Sequence, residues 1–113
     1  MFLGFLDGGT YMIFEVDTIK TGDEMVVKLD GRLDRKTSPE LEHELEKKLS
    51  DDVKELDFDF EYLINISSAG LNVLLDIQKR MKARGGIVKI KHASSFIVDV
   101  FDITGISEQI CVE

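Results

Sequence analysis

The sequence predicts a small α/β domain, a mixed β-sheet with helices packed mainly on one face. Three observations point there. Two strand-like segments open the chain and are joined by a tight turn. Strand-like and helix-like segments then alternate, which implies parallel neighbours after an antiparallel start. The length of 113 residues suits one hydrophobic core and not two.

The elements follow in the order ββαβαβα(β). Met12 to Lys20 alternates, with Met12, Phe14 and Val16 against Ile13, Glu15 and Asp17, and reads as a strand. Thr21-Gly22-Asp23-Glu24 is a turn, Met25 to Leu29 completes a hairpin, and Asp30-Gly31 is expected to break the second strand. A helix follows, capped by Thr37 or Ser38, with Pro39 in its first turn and Thr37/Glu40 as a capping box. Its apolar stripe is Leu41, Leu45 and Leu49. Val53 to Tyr62 is the next strand: Leu56, Phe58, Phe60 and Tyr62 alternate with Asp57, Asp59 and Glu61, so one face packs and the other is wet. Ser67-Ser68 leads into a helix from about Ala69 to Arg84, with Leu71, Leu74, Leu75, Gln78 and Met81 at helical spacing and Gly85-Gly86 at its end. Ile87 to Lys91 is a short strand. Ser94 or Ser95 caps a third helix, Phe96 to Ile103, stopping near Gly105, and Gln109 to Val112 adds a last short strand. Residues 12–113 make up the domain; residues 1–11 read as an N-terminal extension or an edge strand.

Composition narrows the function classes. Hydrophobic residues are 43% and charged residues 32%, a globular balance. No apolar stretch approaches the roughly 20 residues that cross a bilayer, so no membrane insertion is expected. Met1 to Thr10 carries an acid where a secretory leader wants bases. Cys111 is the only cysteine, which excludes an internal disulfide, fits a cytoplasmic location, and reads as a small buried strand residue. His43 and His92 are the only histidines, no His/Cys set has metal-ligand spacing, and neither a zinc site nor any cofactor is expected. The net charge of −8 opposes nucleic-acid binding. It is unevenly spread: Glu40 to Glu61 holds ten acids against Lys47, Lys48 and Lys54, while Lys79 to Lys91 holds six bases and no acid. The basic run reads as the solvated face and C-terminal end of a helix.

Two segments could carry chemistry. Ile66-Ser67-Ser68-Ala69-Gly70-Leu71 sits at a strand–turn–helix junction, where a serine ordinarily caps the helix. Ser68-Ala69-Gly70 supplies the S-x-G of a nucleophile elbow, but Ile66 occupies the place of its first glycine, so a small serine hydrolase is the weaker reading. Gly31-Arg32-Leu33-Asp34-Arg35-Lys36-Thr37 links the hairpin to the first helix as a charged loop, with Asp34 expected to be exposed enough that its replacement leaves stability nearly unchanged.

Together, V-K-L-D-G-R-L-D-R-K-T-S-P-E-L at Val27–Leu41, I-S-S-A-G-L at Ile66–Leu71, K-R-M-K-A-R-G-G at Lys79–Gly86 and F-D-I-T-G-I at Phe101–Ile106 resemble the STAS family, in particular its bacterial anti-sigma factor antagonists. The resemblance runs from about Met12 to the end. It implies a non-enzymatic cytoplasmic switch that binds a kinase-type anti-sigma factor when unphosphorylated, is turned off by serine phosphorylation and is reset by a phosphatase. The family motif D-S-[ST]-G-L aligns its phosphoacceptor with Ser68; Ser67 stands in place of the aspartate and is the alternative acceptor, and Ala69 replaces the second hydroxyl residue. By the same resemblance Asp34, Ser67, Ser68, Gly70 and Leu71 form the partner-binding set, and a monomer is favoured. The alternative within the family is a STAS subunit of another assembly, a lipid-transport or stress-signalling complex, that is not phosphorylated.

Overall fold

A computed structural model describes residues 13–113. The expected extension or edge strand at residues 1–11 lies outside the described residues. The elements are β1 (Glu15–Thr21), β2 (Glu24–Leu33), α1 (Ser38–Lys48), β3 (Glu55–Ile66), α2 (Ser68–Ala83), β4 (Ile87–Lys91), α3 (Ser95–Thr104), a 3-10 turn (Ile106–Glu108) and β5 (Cys111–Val112). The sheet order is β1-β2-β3-β4-β5. β1 runs antiparallel to β2 and the remaining neighbours are parallel. Consecutive parallel strands laid down in one direction, with right-handed crossovers, put every crossover helix on the same face. That face is the core.

Phe14 and Val16 pack against the core from the β1 side. Met25, Val27, Leu29 and Leu33 of β2 are buried, as are Leu41 and Leu45 of α1 and Leu74, Ile77 and Met81 of α2. Phe58, Phe60 and Phe101 are fully buried, with ring centroids 5.7 Å apart for the first pair and 6.3 Å for the second, so one aromatic chain joins β3 to α3. Removing a ring of this kind costs about 3–5 kcal/mol, because the cavity collapses only partly.

The structure departs from simple alternation in the two central strands. β2 does not stop at Asp30-Gly31 but runs on to Leu33. β3 does not stop at Tyr62 but reaches Ile66. The β2–β3 register slips twice: Lys28 faces Asp59 while Asp30 faces Tyr62, and Gly31 faces Leu63 while Arg32 faces Asn65. Each slip inserts one extra residue into β3, the signature of a β-bulge. Beyond Phe60 the buried residues of β3 therefore come every third position, Phe60, Leu63 and Ile66, instead of every second. Tyr62, expected inside, is 64% exposed for this reason. Glu61 N–H, displaced from the ladder at the first bulge, donates to Asp59 Oδ1 at 3.0 Å.

Two further expectations are corrected, and the place of Gln78 on the α2 stripe is borne out. Cys111 is exposed, because Ile110 and not Cys111 points into the core. Lys89 and Lys91 belong to β4, not to the basic end of α2, and pair with acids on the open face of the sheet. Gln78 lies half-buried on the α2 stripe, where its Nε2 donates to the Gln109 carbonyl at 2.8 Å and so ties the chain leading to β5.

Gly31 lets β2 continue where a break was expected. Its φ is 111°, and a Cβ there would lie 2.6 Å from the Ile13 carbonyl oxygen, so the β1 side of the hairpin passes directly over it. Gly31→Ala is expected to destabilise the protein by about 2 kcal/mol or more through positive-φ strain and backbone collision. Urea unfolding checks this: the midpoint should fall with an unchanged m-value.

Candidate functional site

β2 and β3 are parallel and adjacent, so their C-terminal ends open onto one rim. The Asp34–Thr37 loop leaves β2 there for α1, and Ser67 leaves β3 for α2. The two exits are joined directly, by Ser67 N–H donating to the Leu33 carbonyl at 2.9 Å. This bond brings Asp34 and Ser68, 34 positions apart in sequence, to neighbouring loops of the same edge.

Asp34 is half-buried and organises its loop. Its Oδ1 accepts from Lys36 N–H at 2.9 Å and Thr37 N–H at 3.1 Å, and its carbonyl accepts from Ser38 N–H at 2.8 Å. Thr37 occupies the N-cap of α1, but its hydroxyl turns back into the loop. It donates to the Arg32 carbonyl at 2.7 Å and accepts from Asp34 N–H at 2.9 Å. The expected capping box with Glu40 is therefore absent, and no side chain caps α1. The expectation of a freely replaceable Asp34 is corrected on the same ground: its carboxylate satisfies two backbone donors.

At the start of α2 the two serines differ. Ser67 is the N-cap, with extended backbone (φ −100°, ψ 177°), and its side chain makes no capping bond. Its Oγ is buried without a hydrogen-bond partner. Ser68 is the first helical residue and is exposed. The Ser67 carbonyl accepts the first helical bond, from Leu71 N–H at 2.9 Å. The N–H groups ahead of Leu71 precede the helical ladder, and an uncapped N-terminus of this kind suits an anion.

Gly70 and Leu71, expected to touch a partner, are buried. A Cβ on Gly70 would lie 2.7 Å from the Leu33 carbonyl oxygen and 2.9 Å from the side chains of Ile66 and Leu33. Gly70 lets α2 dock closely on the end of β2, and Leu71 anchors the first turn; neither presents a surface to a partner. Of the other serines near the rim, Ser95 is exposed at the start of α3, and two more are engaged or hidden. Ser94 Oγ accepts from Ile97 N–H at 3.3 Å as the cap of α3, and Ser38 is only 4% exposed.

Neither histidine serves Ser68 as a base. His92 Nδ1 lies 3.1 Å from Asp59 Oδ1, and His43 lines a hollow of about 330 Å³ between β1 and α1 with Phe14, Val16, Glu40 and Glu44. Burial pushes the Asp59 carboxyl up, but the Glu61 N–H and His92 outweigh it and hold the group below its ordinary value. Among the described residues two sets of three side chains bring ligand atoms within 4.8 Å of one another, Asp59/Glu61/His92 and Glu24/Glu55/Asp57, and neither includes Asp34 or Ser68. Two exposed apolar residues escaped the sequence reading, Tyr62 and Ile64 (61% exposed), on the bulged stretch of β3 that leads to Ser67. The three-residue spacing of Phe60, Leu63 and Ile66 was the signal for them.

The STAS family profile described as "Mlab, STAS domain" matches residues 16–112. The chain belongs to the STAS family. It is 27% identical over 97 residues to the anti-sigma-B factor antagonist of Bacillus subtilis (strain 168), covering 86% of this chain and 88% of that one. An anti-sigma factor antagonist from Mycobacterium paratuberculosis shares the fold at a TM-score of 0.78, with 18% identity over 88% of this chain and 85% of that one. The unphosphorylated form of the anti-sigma factor antagonist SpoIIAA does so at 0.70, with 19% identity over 89% and 87%. The phosphorylated form of the Bacillus SpoIIAA gives 0.68, with 20% identity over 89% and 91%. Among the described residues no helix is long and apolar enough to cross a membrane.

Asp34 combines a structural acceptor with a charge, and two substitutions separate them. Asp34→Ala should cost about 1–2 kcal/mol, as loss of a side-chain cap does. Asp34→Asn keeps an acceptor oxygen and should cost less than half as much. Parallel thermal melts of the two variants check the order.

Proposed function

We propose that this STAS domain is an anti-sigma factor antagonist, a non-enzymatic binding switch controlled by phosphorylation of Ser68. Unmodified, it docks a kinase-type anti-sigma factor as a single copy; phosphorylated, it lets go, and a phosphatase resets it. The observation that carries the reading is the contrast between the paired serines: Ser68 Oγ belongs to an exposed residue on an uncapped helix start, and Ser67 Oγ is buried. Accessibility to a kinase follows from the first, exclusion of the neighbour from the second. The B. subtilis relative supports the assignment of the partner class.

The physical effect of the modification is local. A phosphate adds about −1.5 to −2 charges at neutral pH and three acceptor oxygens. The first-turn N–H groups of α2 and its dipole can hold that anion in the folded protein. A partner that packs over the rim instead has to desolvate a dianion beside the Asp34 carboxylate, which opposes binding without any change of fold.

One observation favours a second reading, an unphosphorylated STAS subunit of a larger assembly. The residue before the acceptor is a serine whose Oγ is buried, where the antagonists' motif has a carboxylate.

Purified protein, a kinase-type anti-sigma factor and ATP should yield phosphate on Ser68 by mass spectrometry, and none on Ser67, Ser38, Ser94 or Ser95. Ser68→Ala should fold normally, since no cap is lost, and bind the partner whatever the ATP level. Ser68→Asp should bind at least roughly tenfold more weakly, about 1.4 kcal/mol. Absence of phosphate, with both variants binding like wild type, would replace the antagonist by the unphosphorylated subunit.

A further inference from the structure

The chain carries 22 acids against 14 lysines and arginines, so cations are its scarce charge. Lys20, Lys47, Lys48, Arg84, Lys89 and Lys91 are held in ion pairs. Two groups of exposed cations stand outside any ion pair among the described residues. Lys79, Arg80 and Lys82 lie on the last turns of α2, where cations complement the helix dipole. Arg35 and Lys36, with Arg32 just ahead of them, lie on the β2–α1 loop. They immediately precede Thr37, the N-cap of α1. The dipole favours anions at that end, so the fold itself gives these two cations no reason to be there.

The loop that carries them lies against the first turn of α2. The Leu33 carbonyl accepts from Ser67 N–H at 2.9 Å, and a Cβ on Gly70 would lie 2.7 Å from the same oxygen. That carbonyl therefore sits against the turn that holds Ser68. Arg35 is two residues further along the chain and Lys36 three, at most about 8 and 11 Å away. Their backbone is fixed, because Asp34 Oδ1 takes the N–H groups of Lys36 and Thr37, and Thr37 Oγ1 donates to the Arg32 carbonyl. Their side chains are long, exposed and unpaired, on the loop beside an exposed serine.

We propose that Arg35 and Lys36 take the phosphate of phosphorylated Ser68 in cis, clamping the β2–α1 loop to the first turn of α2. The clamp has a use only if Ser68 is phosphorylated, and so rests on that reading. A phosphoserine brings about −1.5 to −2 charges and three acceptor oxygens, enough for both cations. The planar guanidinium of arginine can engage two of those oxygens, and lysine adds a point charge. The same dianion brings to the start of α1 the negative charge that its dipole favours. Release of a partner then has two parts. A dianion is added to the rim, and two cations are withdrawn from the surface that a partner meets.

Phosphoserine is installed at position 68 during translation, so that no kinase is needed, and its second ionisation is followed by ³¹P NMR in about 0.1 M salt. The group ordinarily ionises near pH 6, at about the value free phosphoserine shows. Cations favour the dianion, so the wild-type chain should ionise about one unit lower than the Arg35→Gln/Lys36→Gln variant. Both side chains are exposed and other groups hold the turn, so the variant should fold, which circular dichroism checks. Lys79→Gln/Arg80→Gln removes the same charge about 17 Å along α2, beyond the Debye length of about 10 Å, and should leave the ionisation unmoved. Arg32, Asp34, Glu40, Asp59 and His92, the other charged groups around this rim, are the same in all three proteins. Melting gives a second readout. A phosphate whose ionisation is lowered in the fold stabilises it above about pH 6, and that gain vanishes as pH falls through the folded value. At pH 7.5 the phosphoprotein should melt a few degrees above the unmodified protein, and the loop variant should lose most of that rise. Equal ionisation in wild type and loop variant overturns the clamp and leaves the phosphate to the backbone N–H groups of α2. An equal shift in the Lys79/Arg80 variant also overturns it, by making the effect one of net charge. A kinase that leaves Ser68 unmodified sinks the switch without touching the ³¹P shift; an absent shift sinks the clamp and leaves the switch standing.

Discussion

The junction between the end of β2 and the start of α2 is the constraint on which the site depends. Two contacts make it: the 2.9 Å bond from Ser67 N–H to the Leu33 carbonyl, and the glycine at 70 that lets the first turn of α2 settle against the same carbonyl. The first sets where the chain leaves β3; the second sets how close the helix can come. With both in place, the exposed hydroxyl of Ser68 stands beside a loop whose shape is held by Asp34 and Thr37. An extra methyl group at position 70 would meet the Leu33 backbone as well as the side chains of Ile66 and Leu33, so the helix start has little room to shift. Rigidity here suits the proposed switch, in which a phosphate changes what a partner meets without needing to move the fold.

The bulges in β3 serve the same junction. β2 presents an unbroken two-residue alternation from Met25 to Leu33. In β3 two inserted residues instead bring Leu63 opposite Gly31 and Ile66 opposite Leu33. Without them Leu33 would face Ile64 instead of Ile66, and the chain would leave β3 for α2 two residues out of place. The insertion also exposes Tyr62 and Ile64 next to the rim, an apolar surface that costs little while unpartnered and gains on burial. Exposed apolar surface and structural register thus come from one irregularity.

The two faces of the sheet carry opposite physics. The helix side is closed by Phe58, Phe60 and Phe101 and depends on packing. The open side is a lattice of charges in which Lys89 and Lys91 separate acids that would otherwise repel. The first concentrates stability, and the second concentrates unbalanced charge, at the end of the sheet away from Ser68.

Periodicity and turn chemistry in the sequence by themselves determined the element order, the mixed sheet, the ends of α2 and α3 near Gly85 and Gly105, and the position of β4, because these are local properties of the chain. The motif at Ile66–Leu71 was also legible, since strand, serine pair and helix are consecutive. Tertiary structure alone decided which serine is accessible, because Ser67 and Ser68 are equivalent in composition and differ only in which side of the helix start each faces. It alone turned Thr37 away from its cap and gave Asp34 two backbone donors. It alone revealed the bulges, since an inserted residue is defined by the strand across from it. The carboxylate group on the open face belongs to the same class: Glu24 and Glu55 are 31 residues apart in the chain, and only the pairing of β2 with β3 makes them neighbours.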